Sequence, residues 1–152
     1  MYFWNIEALK NDIRADNFSE KERFIYFVIY FVFSAIGLEL VMYMPIENAN
    51  LWDYVDSFLN ILIVLVGTVF AYKANGSSSG NDFLGKYFSI SFVVLIRFLI
   101  YLIPLLVSYI IYYEYAYSYE EVATNYIDVI PFLVLSSLLY WNICRHIEQV
   151  NS

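Results

Sequence analysis

The chain has 152 residues and a formal net charge of -7, and 61% of it is hydrophobic and 21% aromatic. A water-soluble domain of this length is nearer half apolar, so the excess calls for lipid rather than for a larger core. One cysteine, Cys144, and one histidine, His146, leave no pair for a disulfide, a cysteine metal cluster or a histidine-based catalytic couple, so neither metal nor cofactor is expected.

The chain opens on MYFWNIEALKNDIRADNF. Tyr2, Ile6, Leu9 and Ile13 recur at helical spacing, with Lys10, Asn11 and Arg14 off that stripe, which predicts a short amphipathic helix at a membrane surface or on the protein's own face. In the SEKE that follows, Ser19 and Glu22 have the spacing of a capping box, so the first long helix should start near Glu20. Four apolar runs then follow: Phe24–Met44, Tyr54–Tyr72, Tyr87–Tyr113 and about Ile127–Ile143. A spanning helix needs ~20 residues to cross a ~30 Å hydrocarbon layer, and the runs predict spans over about 20–44, 53–73, 83–113 and 126–145. The first run is too long, and too late after an acidic segment, for the core of a cleavable signal peptide.

Between the spans, Pro45 ends the first helix and Trp52 marks an interface. KANGSSSGND, with Gly76, Gly80 and three serines, is the stretch most like a flexible linker, and Asp82 is placed to cap the next helix. YYEYAYSYEEVATNYID reads as an interfacial tyrosine belt. The connecting pieces are too short for a soluble domain, so residues 1–152 form a single all-α domain: an integral-membrane four-helix bundle with an N-terminal amphipathic cytoplasmic helix.

The loop cations Lys10, Arg14, Lys21, Arg23, Lys73, Lys86 and Arg145 all fall on one side if both termini and the middle loop are cytoplasmic. The positive-inside rule therefore predicts a bacterial inner-membrane protein with both termini in the cytoplasm. Seven acids on that side balance these seven cations. Glu47, Asp53, Asp56, Glu114, Glu120, Glu121 and Asp128 stand unopposed on the outer side. Acids are tolerated outside because they contribute little to orientation; the alternative is an outer mouth that attracts cations.

Three polar residues lie within the spans. Arg97 is ten residues beyond Tyr87, ~15 Å deep, and a charge at that depth costs ~2.5–3.5 kcal/mol on insertion scales. Glu39, fifteen residues beyond Phe24, and Asn60, twelve before Tyr72, come out ~22 Å and ~18 Å from the same edge. Each of the first three spans thus brings one polar group to similar depth, which predicts a cluster of Glu39, Asn60 and Arg97. It would serve as an ion-paired lock that fixes helix packing or as a pathway for protons or ions. Gly67 with Ala71, and Ser34 with Ala35 and Gly37, form small-residue patches suited to close helix contact. Pro104 should kink the third span.

No nucleotide loop or catalytic constellation is present, so no enzymatic activity and no nucleic-acid partner are expected. Two readings remain. One is a non-enzymatic component that self-associates in the bilayer or docks a cytoplasmic protein through its short arms, with a pore-forming toxin or phage-defence effector as a variant. The other is a small proton- or ion-coupled transporter using Glu39.

Overall fold

The structure is a computed structural model and describes residues 1–42, 49–116 and 123–151. It is all-helical among those residues: α1 (Ile6–Arg14), α2 (Glu20–Met42), α3 (Leu51–Ala74), a 3-10 turn at Ser77–Ser79, α4 (Phe83–Ala116) and α5 (Tyr126–Asn151). Helices α2 to α5 are each long and apolar enough to cross a membrane. They coincide with the four apolar runs, and α5 continues to Asn151 because its last turns are wanted in the core, where Ile147 and Val150 are buried. Pro45, Glu47, Glu120 and Glu121, and part of the tyrosine-rich segment, lie outside the described residues.

Each helix start has a local cause. The Asn5 side chain accepts from the Ala8 N–H at 3.0 Å and starts α1. Past α1, Asp16 takes a left-handed φ of 55° and turns the chain, a conformation Asp tolerates better than most residues. The expected capping box is present: the Glu22 N–H donates to Ser19 Oγ at 3.3 Å and the Ser19 N–H to Glu22 Oε2 at 3.1 Å. Asn50 and Asp53 make a second box on α3, with the Asn50 N–H donating to Asp53 Oδ2 at 2.7 Å.

The spans pack in the order α2, α4, α5, α3, and α1 lies against α4 and α5. The core sits at the end that carries both termini. Tyr87, Ile90, Phe92, Val93 and Val94 of α4 are buried there with Ile6 and Leu9 of α1, Phe18, Tyr26 of α2, Ala71 of α3 and Ile143 of α5. Towards the far end the helices offer their sides to the surroundings: residues 31–40 of α2 are all exposed, and α4 has no buried residue from 99 to 115. That suits a bilayer, where apolar side chains need no protein cover.

Two expectations change. Lys10, placed off the apolar stripe of α1, is buried. Its chain packs inward while Nζ reaches Gln149 Oε1 at 2.8 Å and Glu7 Oε1 at 2.6 Å, so the charge keeps polar partners. The serine-rich connection, read as a flexible linker, is a pinned turn. Buried Asn75 donates to the Asn81 carbonyl at 3.1 Å and accepts from Asn151 at 3.2 Å. Lys86 Nζ donates to Asn81 Oδ1 at 2.9 Å and Asn151 Oδ1 at 2.6 Å. A Cβ on Gly80 would lie 1.8 Å from the Asn75 carbonyl oxygen, so this close approach requires glycine. Asp82, just before α4, forms an ion pair with Arg23 Nε of α2 at 3.0 Å.

Candidate functional site

No hydrogen bond or ion pair among the described residues joins the three polar residues expected together. Asn60 turns back on its own helix, donating to Asp56 Oδ1 at 2.8 Å and to the Asp56 carbonyl at 3.1 Å. Glu39 stands on the exposed stretch of α2. The ion pairs among the described residues are Met1 with Glu22, Lys10 with Glu7, and Arg23 with Asp16 and Asp82; none joins Glu39 to Arg97. Pro104 lies inside a helix that remains continuous from Phe83 to Ala116.

Arg97 is partly buried, with its guanidinium over the ring of Trp4 at 5.7 Å. Counting depth from the structure moves it towards the terminal boundary. The 34 residues of α4 extend ~51 Å at 1.5 Å per residue, well beyond a ~30 Å hydrocarbon layer. Its first turns are wrapped by α1, α2 and α5, and Lys86, Ser89 and Ser91 are buried among them. If Tyr112 and Tyr113 mark the far interface, ~20 residues of span reach back to about Phe92. Arg97 is then only ~7 Å inside the boundary, and its side chain slants further towards it, since α4 begins at that end. The same count from Tyr126 along α5 ends near Arg145.

Both arginines line one cavity of about 710 Å³ between α1, α4 and α5. One end is polar, with Arg97, Arg145, His146, Asn142 and Gln149; the other is lined by Phe98, Tyr101, Leu135 and Leu138. The Arg145 guanidinium lies over the ring of Trp141 at 5.9 Å. Glu7 is the one carboxylate on the described lining, and Lys10 engages it. That hydrogen bond holds the Glu7 carboxyl below its ordinary range. His146 Nδ1 is 3.2 Å from Gln149 Oε1. Arg14 secures α1 across the mouth through its guanidinium and the Gln149 carbonyl.

A second polar centre draws a hydroxyl from every span. Thr68 Oγ1 of α3 and the Tyr87 hydroxyl of α4 are 3.2 Å apart, the Tyr140 hydroxyl of α5 is within hydrogen-bonding reach of both, and Tyr30 of α2 stands beside them. The three tyrosines line a smaller cavity of about 300 Å³ whose lining includes Ser91. Ser91 Oγ is buried with no hydrogen-bond partner. Sequence reasoning missed this centre because tyrosine near a span's end reads as interface. The one available signal was Tyr87 and Ser91 at i and i+4, which share a helix face.

Three of the acids expected on the outer side, Asp53, Asp56 and Asp128, are engaged structurally. Asp128 accepts from the Tyr109 and Tyr113 hydroxyls and from the Asn125 N–H at 2.6 Å. Asp53 caps α3, and Asp56 holds Asn60. Asn50 ties the start of α3 to the Thr124 carbonyl at 2.7 Å. No group of three potential metal-ligating side chains occurs among the described residues. Comparison of the chain with protein-family models, with curated proteins and with solved structures gave no match.

Proposed function

We propose that the chain is a non-enzymatic membrane component that works as an assembly of copies. The supporting observation is Glu39. It lies on an exposed, otherwise apolar stretch of α2, with no ion pair among the described residues. Ionisable groups at hydrocarbon depth face a bundle interior or a wet cavity, because lipid cannot solvate them. An exposed glutamate in one copy therefore calls for cover from another. The same face has room for it: a Cβ added to Gly37 would meet nothing within 4 Å, and Ser34, Ala35 and Gly37 allow backbones to approach closely. By contrast Gly67 and Ala71 are already buried within the chain.

The membrane we assign is a bacterial inner membrane with both termini cytoplasmic, on the one-sided distribution of loop cations. The test of assembly is crosslinking in native membranes together with particle mass in mild detergents. A defined multimer that weakens in Glu39→Gln is expected, and a monomer throughout removes the reading. Conductance measured in liposomes separates an assembly that forms a pore from one that does not.

The second reading, a small proton- or ion-coupled transporter, gains from the same residue. No ion pair among the described residues ties Glu39 to Arg97 or to another cation, so its carboxylate is not committed to a structural lock. Uptake into liposomes driven by a pH gradient, and lost in Glu39→Gln, would favour transport.

A further inference from the structure

The cavity beneath α1 is built for an anion with an apolar tail, and we infer that it holds an anionic phospholipid, the phosphate between Arg97 and Arg145 and an acyl chain along Phe98, Tyr101, Leu135 and Leu138. The inference does not depend on whether the chain self-associates.

The charge points to an anion. Neither guanidinium has an ion-pair partner or a hydrogen-bond acceptor among the described residues, while Glu7, the carboxylate on the lining, is engaged by Lys10. The Arg97 guanidinium lies over the ring of Trp4 at 5.7 Å and that of Arg145 over Trp141 at 5.9 Å. An aromatic ring attracts the cation but accepts no conventional hydrogen bond, so the N–H donors are left for an acceptor. An arginine fork matches the paired oxygens of a phosphate, and the hydrogen bonds so made are charge-assisted. Arginine on a membrane helix also needs an anion close by, because hydrocarbon offers nothing in exchange for its lost hydration.

The shape and the depth point to a lipid. Both arginines fall close to the terminal boundary of the hydrocarbon layer, where phosphates of that leaflet reside, and basic pockets between spans on that side are suited to lipid headgroups. The rest of the lining is apolar and lies further along α4 and α5, towards the bilayer interior. At about 710 Å³ the space is within the range of ligand sites, roughly 300–1,000 Å³. A free phosphate would use the arginines and leave the apolar half empty.

The experiment measures thermal stability and native mass spectra of the detergent-purified full chain with phosphatidylglycerol, phosphatidylcholine, or inorganic phosphate. Saturable retention and a rise in Tm with phosphatidylglycerol are expected. Arg97→Gln and Arg145→Gln should each weaken its apparent affinity about tenfold, the value of one charge-assisted contact near 1.4 kcal/mol. Lys73→Gln, a cation over Phe70 outside this cavity, should leave it unchanged. Arg97→Lys keeps the charge but not the fork, so it should bind several-fold more weakly than the parent. Arg145 is exposed, and Arg145→Gln gives a decisive reading even if Arg97→Gln folds poorly. Equal protection by phosphatidylcholine, or by inorganic phosphate alone, overturns the lipid assignment. An equal loss in Lys73→Gln would reduce the effect to general surface charge and overturn the site.

Discussion

Gly67 of α3 lies so close to Tyr140 of α5 that a Cβ in its place would come within 2.3 Å of the ring and 2.9 Å of the Tyr140 Cβ. Beside this contact the Cys144 thiol donates to the Gly67 carbonyl at 3.7 Å, and Ala71 is fully buried one turn on. The missing side chain lets α3 and α5 approach and packs the tyrosine whose hydroxyl belongs to the four-span centre. In lipid such close contact replaces the hydrophobic drive that helices have in water.

Gly67→Ala should therefore destabilise the fold, although alanine favours a helix by ~1 kcal/mol over glycine. The clash includes the Tyr140 Cβ, which cannot swing away, so the helices must part at an overpacking cost of ~1–3 kcal/mol. Thermal unfolding in detergent would show it. Gly67→Ala combined with Tyr140→Ala should recover part of the loss, and simple additivity would remove the steric account.

Acid should release α1. Glu7 is held below its ordinary range chiefly by the hydrogen bond from Lys10, and a lowered carboxylate pKa contributes stability that is complete above its unfolded value of ~4.3. That contribution is lost as pH falls through the folded value, leaving the buried Lys10 ammonium with Gln149 alone. Hydrogen exchange of the α1 amides should quicken below about pH 4, and Glu7→Gln should quicken it at neutral pH and flatten its pH dependence. An unchanged α1 in that variant would show that the pair does not dock the helix.

Glu39 and Arg97 should behave independently in a single copy. Double-mutant analysis of Glu39→Gln and Arg97→Gln in monomeric detergent preparations should give additive changes within ~0.5 kcal/mol. Arg97→Gln alone should lose the cation–π contact with Trp4, about 0.5–1 kcal/mol for a cation on an aromatic face. A coupling well above that bound would bring the two residues into one lock and contradict the folded arrangement.

Reporter fusions test the orientation. Fusions at Asn48 and Thr124 should report the periplasmic side, and fusions at Ser78 and Ser152 the cytoplasm. Cytoplasmic activity at Asn48 would reverse the assignment.

The four spanning helices, the capping box of Ser19 and Glu22 and the helical stripe of α1 were legible in the sequence. Each depends on neighbours within about one turn, or on a count of apolar residues against a fixed bilayer thickness. The polar sites were not. Neither azimuth nor, for Arg97, depth was readable: α4 is longer than a bilayer needs, so counting from the start of its apolar run misplaces the boundary. Asn60 bonds within α3, Glu39 stands on the exposed stretch of α2, and the Arg97 guanidinium lies near Trp4. Lipid-facing and partner-facing sides are equally apolar in these spans, so no hydrophobic stripe says which way each helix turns. Tertiary packing decided that Lys10 is buried, that Asn75 pins the serine turn to Asn151, and that Tyr30, Thr68, Tyr87 and Tyr140 meet. Those contacts join residues far apart in the chain, and their geometry exists only once the helices have chosen their neighbours.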